Sequence, residues 1–174
     1  MARTLEKDSK TIKSWLCLLE ELYIIFKITP YSKNISRSLL KEPKYYFFDF
    51  GRIEESQGGK LENLVACALL KELNFVEDIY GVKGELHFLK TKEGKEIDFL
   101  VSIDGKPVLL IEVKNFDDDA SKNFNYFESV FPTIKKVQLV KNILREKTYP
   151  NGLEIRSLTS LLRQINFQSF CVQR

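Results

Sequence analysis

Lys95-Glu96-Ile97-Asp98-Phe99-Leu100-Val101-Ser102-Ile103-Asp104-Gly105-Lys106-Pro107-Val108-Leu109-Leu110-Ile111-Glu112-Val113-Lys114 reads as two strands and the turn that joins them. Both arms are dense in β-branched and other apolar residues, and Asp104-Gly105-Lys106 supplies the turn chemistry. If those three residues form the loop, with Gly105 taking the positive φ such loops need, Ile103 stands opposite Pro107. One face then carries Ile97 opposite Val113, Phe99 opposite Ile111 and Val101 opposite Leu109, an unbroken apolar set. A two-residue loop would set Asp98 against Ile111 and Glu112 against Ile97. The apolar pairing selects the first register, and the other face then places Asp98 across from Glu112, Leu100 across from Leu110 and Glu96 across from Lys114.

Two carboxylates with Cβ atoms about 5 Å apart repel unless one is protonated or a cation lies between them. A hard divalent ion, Mg²⁺ or Mn²⁺, suits oxygen ligands and keeps open positions for water and phosphate oxygens. Lys114, two residues after Glu112 and on its face, adds a positive charge beside such an ion. Metal, lysine and water are the ingredients of phosphodiester hydrolysis. The plainer alternative is a surface ion-pair cluster, with Lys114 satisfied by Glu96.

Upstream, Leu61, Leu64, Val65, Ala68 and Leu69 follow helical spacing after the Gly58-Gly59 break, and Glu62 falls at the edge of that stripe. Glu85 to Lys90 precedes the hairpin as another strand, with a turn at Glu93-Gly94. Downstream, Asp117 to Asp119 are placed to cap a helix with Phe124, Phe127 and Phe131 inward, followed by a strand from Lys136 to Val140. The core order is therefore helix, three strands, helix, strand. Near the N-terminus, Ser9 is placed to cap a helix with Ile12, Trp15, Leu16, Leu19 and Leu22 or Tyr23 on its apolar side. Strands Ile24-Ile25-Phe26, stopped by Thr29-Pro30, and Tyr45-Tyr46-Phe47-Phe48 flank a basic loop from Lys33 to Lys44. A helix followed by a hairpin is the closing half of a winged helix, which suits DNA; the alternative is a unit that simply packs on the core.

The 174 residues carry 27 Lys+Arg against 24 Asp+Glu. Residues 1–60 hold 11 Lys+Arg and 8 Asp+Glu, so the whole excess lies in the N-terminal third. That asymmetry hints at an acidic partner, nucleic acid and in the first place DNA. Lys10, Lys13, Lys33 and Arg37 in the N-terminal unit, with Lys90 and Lys95 beside the turn before Asp98, are the candidate phosphate contacts. No apolar run approaches the roughly 20 residues of a membrane span, and the N-terminus lacks an apolar signal segment, so the expectation is a cytoplasmic protein without membrane contact. Cys17, Cys67 and Cys171 are scattered, odd in number and expected to be buried thiols. The single histidine, His87, allows no histidine-pair metal cluster and reads as a partly buried strand residue.

Asp98, thirteen residues, then Glu112-Val113-Lys114, preceded by a helix bearing Glu62, resembles the PD-(D/E)XK nuclease superfamily, although Ile97 stands where the name puts Pro. More closely, Thr11-Ile12-Lys13-Ser14-Trp15-Leu16, Leu19-Glu20, Pro30-Tyr31-Ser32-Lys33-Asn34, Pro43-Lys44-Tyr45-Tyr46-Phe47 and Leu61-Glu62-Asn63-Leu64-Val65 resemble the C-terminal domain of unknown function of prokaryotic AAA-class ATPases. The resemblance implies an α/β fold, a PD-(D/E)XK nuclease-like core at 57–174 behind a winged-helix-like unit at 1–56. It implies that Asp98 and Glu112 bind the metal, that Glu62 binds it or its water, and that Lys114 orients the attacking water. The function expected is a metal-dependent, DNA-binding nuclease; the alternative is a non-catalytic accessory module gripping nucleic acid or protein. No Gly-x4-Gly-Lys-Ser/Thr phosphate loop occurs, so any ATPase is a partner.

Overall fold

In the computed structural model, which describes residues 8–31, 42–53, 57–91, 93–116 and 119–170, Asp8 rather than Ser9 opens the first helix, α1 (Ser9–Glu21). Its carboxylate accepts the Lys10 and Thr11 N–H groups at 2.7 and 2.9 Å, and its charge suits a helix N-terminus. Only Ile12 of α1 is fully buried, with Leu16 and Leu19 half-buried beside it. Trp15, expected inward, is 46% exposed, and Leu22 and Tyr23 are exposed too. Spacing alone could not choose between two apolar stripes, and the sheet contacts the narrower one.

Strands β1 (Ile25–Pro30) and β2 (Lys44–Phe47) pair antiparallel, Ile28 opposite Lys44 and Phe26 opposite Tyr46. β1 runs on through Thr29 and Pro30 because those residues pair in parallel with His87 and Phe88; proline is tolerated at the strand's end. The hairpin thereby becomes an edge of the central sheet. Helix α2 (Gln57–Tyr80) starts ahead of Gly58-Gly59 and turns Leu61, Val65, Ala66, Leu69, Leu73 and Val76 to the core. Then follow β3 (Gly84–Lys90), β4 (Glu96–Ile103), β5 (Lys106–Lys114), α3 (Asn123–Glu128) and β6 (Lys135–Val140). The order helix, three strands, helix, strand is thus present. Beyond it lie β7 (Lys147–Thr148), β8 (Leu153–Ser157) and α4 (Leu158–Gln164). The described residues form a mixed α/β structure, an eight-stranded sheet ordered β2-β1-β3-β4-β5-β6-β8-β7 with four α-helices.

One face of the sheet packs Phe99, Val101, Leu109 and Ile111 against α2 and against Leu158 of α4. The other packs Leu89, Ile97, Leu100 and Leu110 against Phe124, Phe127 and Phe131 of the α3 segment, the aromatic trio expected there. No helix among the described residues is long and apolar enough to cross a membrane.

The β4–β5 hairpin corrects the expected loop. Ile103 pairs with Lys106, leaving a two-residue turn in which Asp104 and Gly105 have φ of 47° and 72°, the left-handed pair that a primed turn requires. A bulge then restores the apolar register: Ser102 pairs with Pro107 but Val101 with Leu109, so Val108 has no opposite number. Phe99 opposite Ile111 and Leu100 opposite Leu110 follow as expected. A second irregularity overturns the outermost pair. His87 pairs with Leu100 and Leu89 with Ile97, so Asp98 and Phe99 together face Phe88. One extra residue reverses the alternation, and Ile97 joins the α3 face instead of lying with Phe99.

Candidate functional site

The bulge at Asp98 lies where β4 and β5 stop pairing regularly, beyond Phe99 and Ile111. There the Asp98 carboxylate replaces a strand carbonyl: Oδ2 accepts the Val113 N–H at 2.8 Å. Asp98 is thereby drawn beside β5, its side chain 17% exposed. Burial, reinforced by the charges of Glu112 and Glu62, pushes its pKa from the ordinary 3.8 to about 7, against the pull of the Val113 N–H and Lys44.

Glu62 enters from the first turns of α2, one residue after the buried Leu61. Its Oε1 accepts from Lys44 Nζ at 2.9 Å and from the Tyr46 hydroxyl at 2.7 Å, both from β2. Residues 44 and 46 share a strand face, so one strand delivers both donors. The next helical residue, Asn63, is 3% exposed and clasps β2 by accepting from Phe47 N–H at 2.8 Å and donating to Phe47 C=O at 2.7 Å. Lys44 also reaches Glu96 at 2.6 Å and Asp98 at 3.9 Å. Burial alone would lower its pKa, but the Glu62 charge and the bonds to Glu96 and Glu62 raise it, so the ammonium stays charged. Burial and the neighbouring Glu62 push the Tyr46 hydroxyl far up, so it stays protonated and donates to Glu62.

Glu112 is 3% exposed. Its Oε1 accepts from Lys114 Nζ at 2.8 Å, Asn123 Nδ2 at 3.2 Å and Ser121 Oγ at 3.5 Å. Gln138 on β6 holds that last segment, accepting from Ser121 N–H and donating to the Asp119 carbonyl, both at 2.8 Å. The second oxygen, Glu112 Oε2, is buried without a hydrogen-bond partner among the described residues. A buried, unsatisfied carboxylate oxygen costs about 1–3 kcal/mol and calls for an explanation.

Glu62, Asp98, Glu112 and Lys114 therefore gather in one region, with two changes of partner. Glu96, expected to pair with Lys114, instead binds Lys44 and, at 2.9 Å, Lys90; Lys114 pairs with Glu112. Lys44, expected in the basic loop, lies inside the site. Among the described residues no group of three or more His, Cys, Asp or Glu side chains has a metal-holding arrangement; the Lys44 ammonium stands among the carboxylates. Of the lysines expected to meet phosphate, Lys10 and Lys13 are exposed on α1, Lys90 is tied to Glu96, and Lys95 lies over the Tyr126 ring at 5.2 Å. Lys33 and Arg37 lie outside the described residues, as does Cys171. Cys17, expected buried, is exposed, and Cys67 is half-buried. His87 is half-buried, with burial lowering its pKa. Sequence reasoning missed Lys44, Tyr46 and Asn63 as site residues; the polar pair Glu62-Asn63 on a buried helix face was their one signal.

A family model described as a domain of unknown function, DUF4143, matches residues 57–160, more than half of the chain. The chain belongs to that family, which is known in AAA-ATPase contexts. A second domain of unknown function, DUF8612, matches residues 1–54. No curated protein and no solved structure matches.

Proposed function

We propose that this protein is a metal-dependent nuclease of the PD-(D/E)XK type, hydrolysing phosphodiester bonds in DNA. The observation that carries the reading is Glu112: a buried carboxylate with one oxygen unsatisfied, beside an Asp98 whose ionisation burial and the Glu112 charge together suppress. Such a pair suits a hard divalent cation, whose charge would favour the ionised form of Asp98 and whose shell accepts oxygen donors. Asp98 and Glu112 would hold Mg²⁺ or Mn²⁺, with Glu62 binding the ion or its water. The ion supplies Lewis-acid activation of water and phosphate when bound. Lys114 Nζ, which donates to Glu112 at 2.8 Å, would orient the attacking water and balance charge developing on the phosphate. Asn123 and Ser121 donate to Glu112 Oε1, and Gln138 holds the Ser121 backbone. Lys10 and Lys13 offer cationic contacts to a phosphate backbone.

A non-catalytic binding module serving an ATPase is the second reading, and Lys44 is the observation that favours it, since an ammonium already neutralises part of the acidic cluster. Mn²⁺ titration calorimetry and plasmid cleavage with Mg²⁺ or Mn²⁺ separate the two. The nuclease reading expects wild type to bind and cut, Lys114→Ala to bind without cutting, and Glu112→Gln to do neither. Absence of both binding and cleavage at about 10 mM metal, an ordinary upper range for weak carboxylate sites, ends the nuclease reading. Binding without cleavage by wild type supports the module.

A further inference from the structure

We propose that Lys44 is a tethered cation that fills the acidic site in the metal-free protein and is displaced when a divalent ion binds, so that strand β2 sets the site's metal affinity. The inference rests on the metal-binding reading above and adds to it a residue from outside the helix-strand core. Lys44 Nζ lies 2.9 Å from Glu62, 2.6 Å from Glu96 and 3.9 Å from Asp98, and its side chain is 24% exposed. The ammonium also sits 5.4 Å from the centre of the Phe88 ring. It is held there by more than its own charge: Tyr46, two residues on, donates to the same Glu62 oxygen, and Asn63 clasps Phe47 through both backbone groups.

Clustered carboxylates do not stay ionised together without a cation between them. One ammonium offsets part of that repulsion, and Glu112 is served separately by Lys114. A divalent ion brings twice the charge, but an ammonium has no lone pair to offer it and competes for the same oxygens. A divalent ion held on Glu62 Oε1 and Asp98 Oδ1, which now face Lys44, would lie within a few ångströms of the ammonium and repel it. That repulsion, in a site only 24% exposed at Lys44, drives the ammonium out when the ion binds. Its departure frees a reactive amine, which gives the test a readout independent of catalysis.

The full chain is acetylated with a limiting amount of an activated acetate ester, with and without Mn²⁺, and each lysine is scored by mass spectrometry. Lys44 is expected to react more slowly than Lys10 and Lys13 without metal and several-fold faster with it, while Lys10 and Lys13 are unchanged. Mn²⁺ titration calorimetry on wild type and Lys44→Met is the companion measurement. The methionine keeps the stem but not the charge, and binding should tighten on the order of tenfold, the worth of one charge-assisted hydrogen bond. Equal or weaker binding by Lys44→Met, or a Lys44 acetylation rate that does not rise while Mn²⁺ binds, overturns the proposal and leaves the metal site standing. Failure of both proteins to bind Mn²⁺ overturns the metal site and the proposal together. If Lys44→Met does not fold, the acetylation of wild type decides alone.

Discussion

Asp98→Asn should make the protein's stability less sensitive to pH, and the size of the effect follows from where the carboxylate sits. Its pKa is about 7 folded, against 3.8 ordinarily, with burial the largest cause and Glu112 the next. A folded pKa above the unfolded one means the native state holds the proton more tightly. Well below 3.8 the acid is neutral in both states and costs nothing; the cost of ionising it in place grows as pH rises to 7 and is constant beyond. At 1.36 kcal/mol per pKa unit the ceiling is roughly 4 kcal/mol, of which roughly 3 accrues between about pH 5 and pH 8. Asparagine removes the charge while its amide oxygen can still accept the Val113 N–H, so the strand contact survives. It also forfeits the attraction to Lys44, a 3.9 Å contact and the weakest of that lysine's three. Urea denaturation of both proteins at about pH 5 and pH 8 should show the variant gaining about 2–3 kcal/mol on wild type across that interval, or roughly 5–10 °C in Tm. Titrating groups remote from Asp98 cancel in the comparison. A stability difference independent of pH would show that Asp98 is ionised at ordinary acidity and that the carboxylates do not repel as the geometry implies.

Phe99→Ala or Ile111→Ala, each removing a fully buried side chain from the α2 face, should cost roughly 2–5 kcal/mol in urea denaturation; a loss below about 1 kcal/mol would refute the register. Asn63→Ala takes the partner from the Phe47 N–H and leaves the Phe47 carbonyl only the Cys67 thiol at 3.2 Å, and should cost about 1–3 kcal/mol. Hydrogen exchange at the Phe47 amide should accelerate with it, and unchanged protection would show that β2 is held by other means. For DNA binding, Lys10→Ala with Lys13→Ala should flatten the slope of log K against log salt by about 0.9 for each phosphate that these lysines neutralise, and an unchanged slope would remove α1 from the interface.

The hairpin's central register was readable because burial on both sheet faces punishes a slip at every position: moving β4 by one residue would drive Asp98 toward the place of Phe99. That constraint selects the net register without saying how the chain reaches it. A three-residue loop and a two-residue turn followed by a bulge at Val108 give the same Phe99–Ile111 pairing, and only the Asp104 and Gly105 dihedrals separate them. The bulge at Asp98 was hidden for a related reason. Ile97 is apolar and finds an apolar environment on either face, so its flip leaves no trace in the hydrophobic pattern. Asp98 left no trace either, since a buried carboxylate that accepts a strand N–H resembles any other polar residue in a strand. Lys44 was misread because a lysine beside a basic loop has solvent as its default, and what brings it inside is tertiary: the pairing of β2 with β1, of β1 with β3, and the Asn63 clasp. Local chemistry thus exposed the residues on the two central strands, where neighbours in sequence are neighbours in the site. The edge strand's contribution depended on which sheet edge it joined, and no spacing within residues 25–47 encodes that choice.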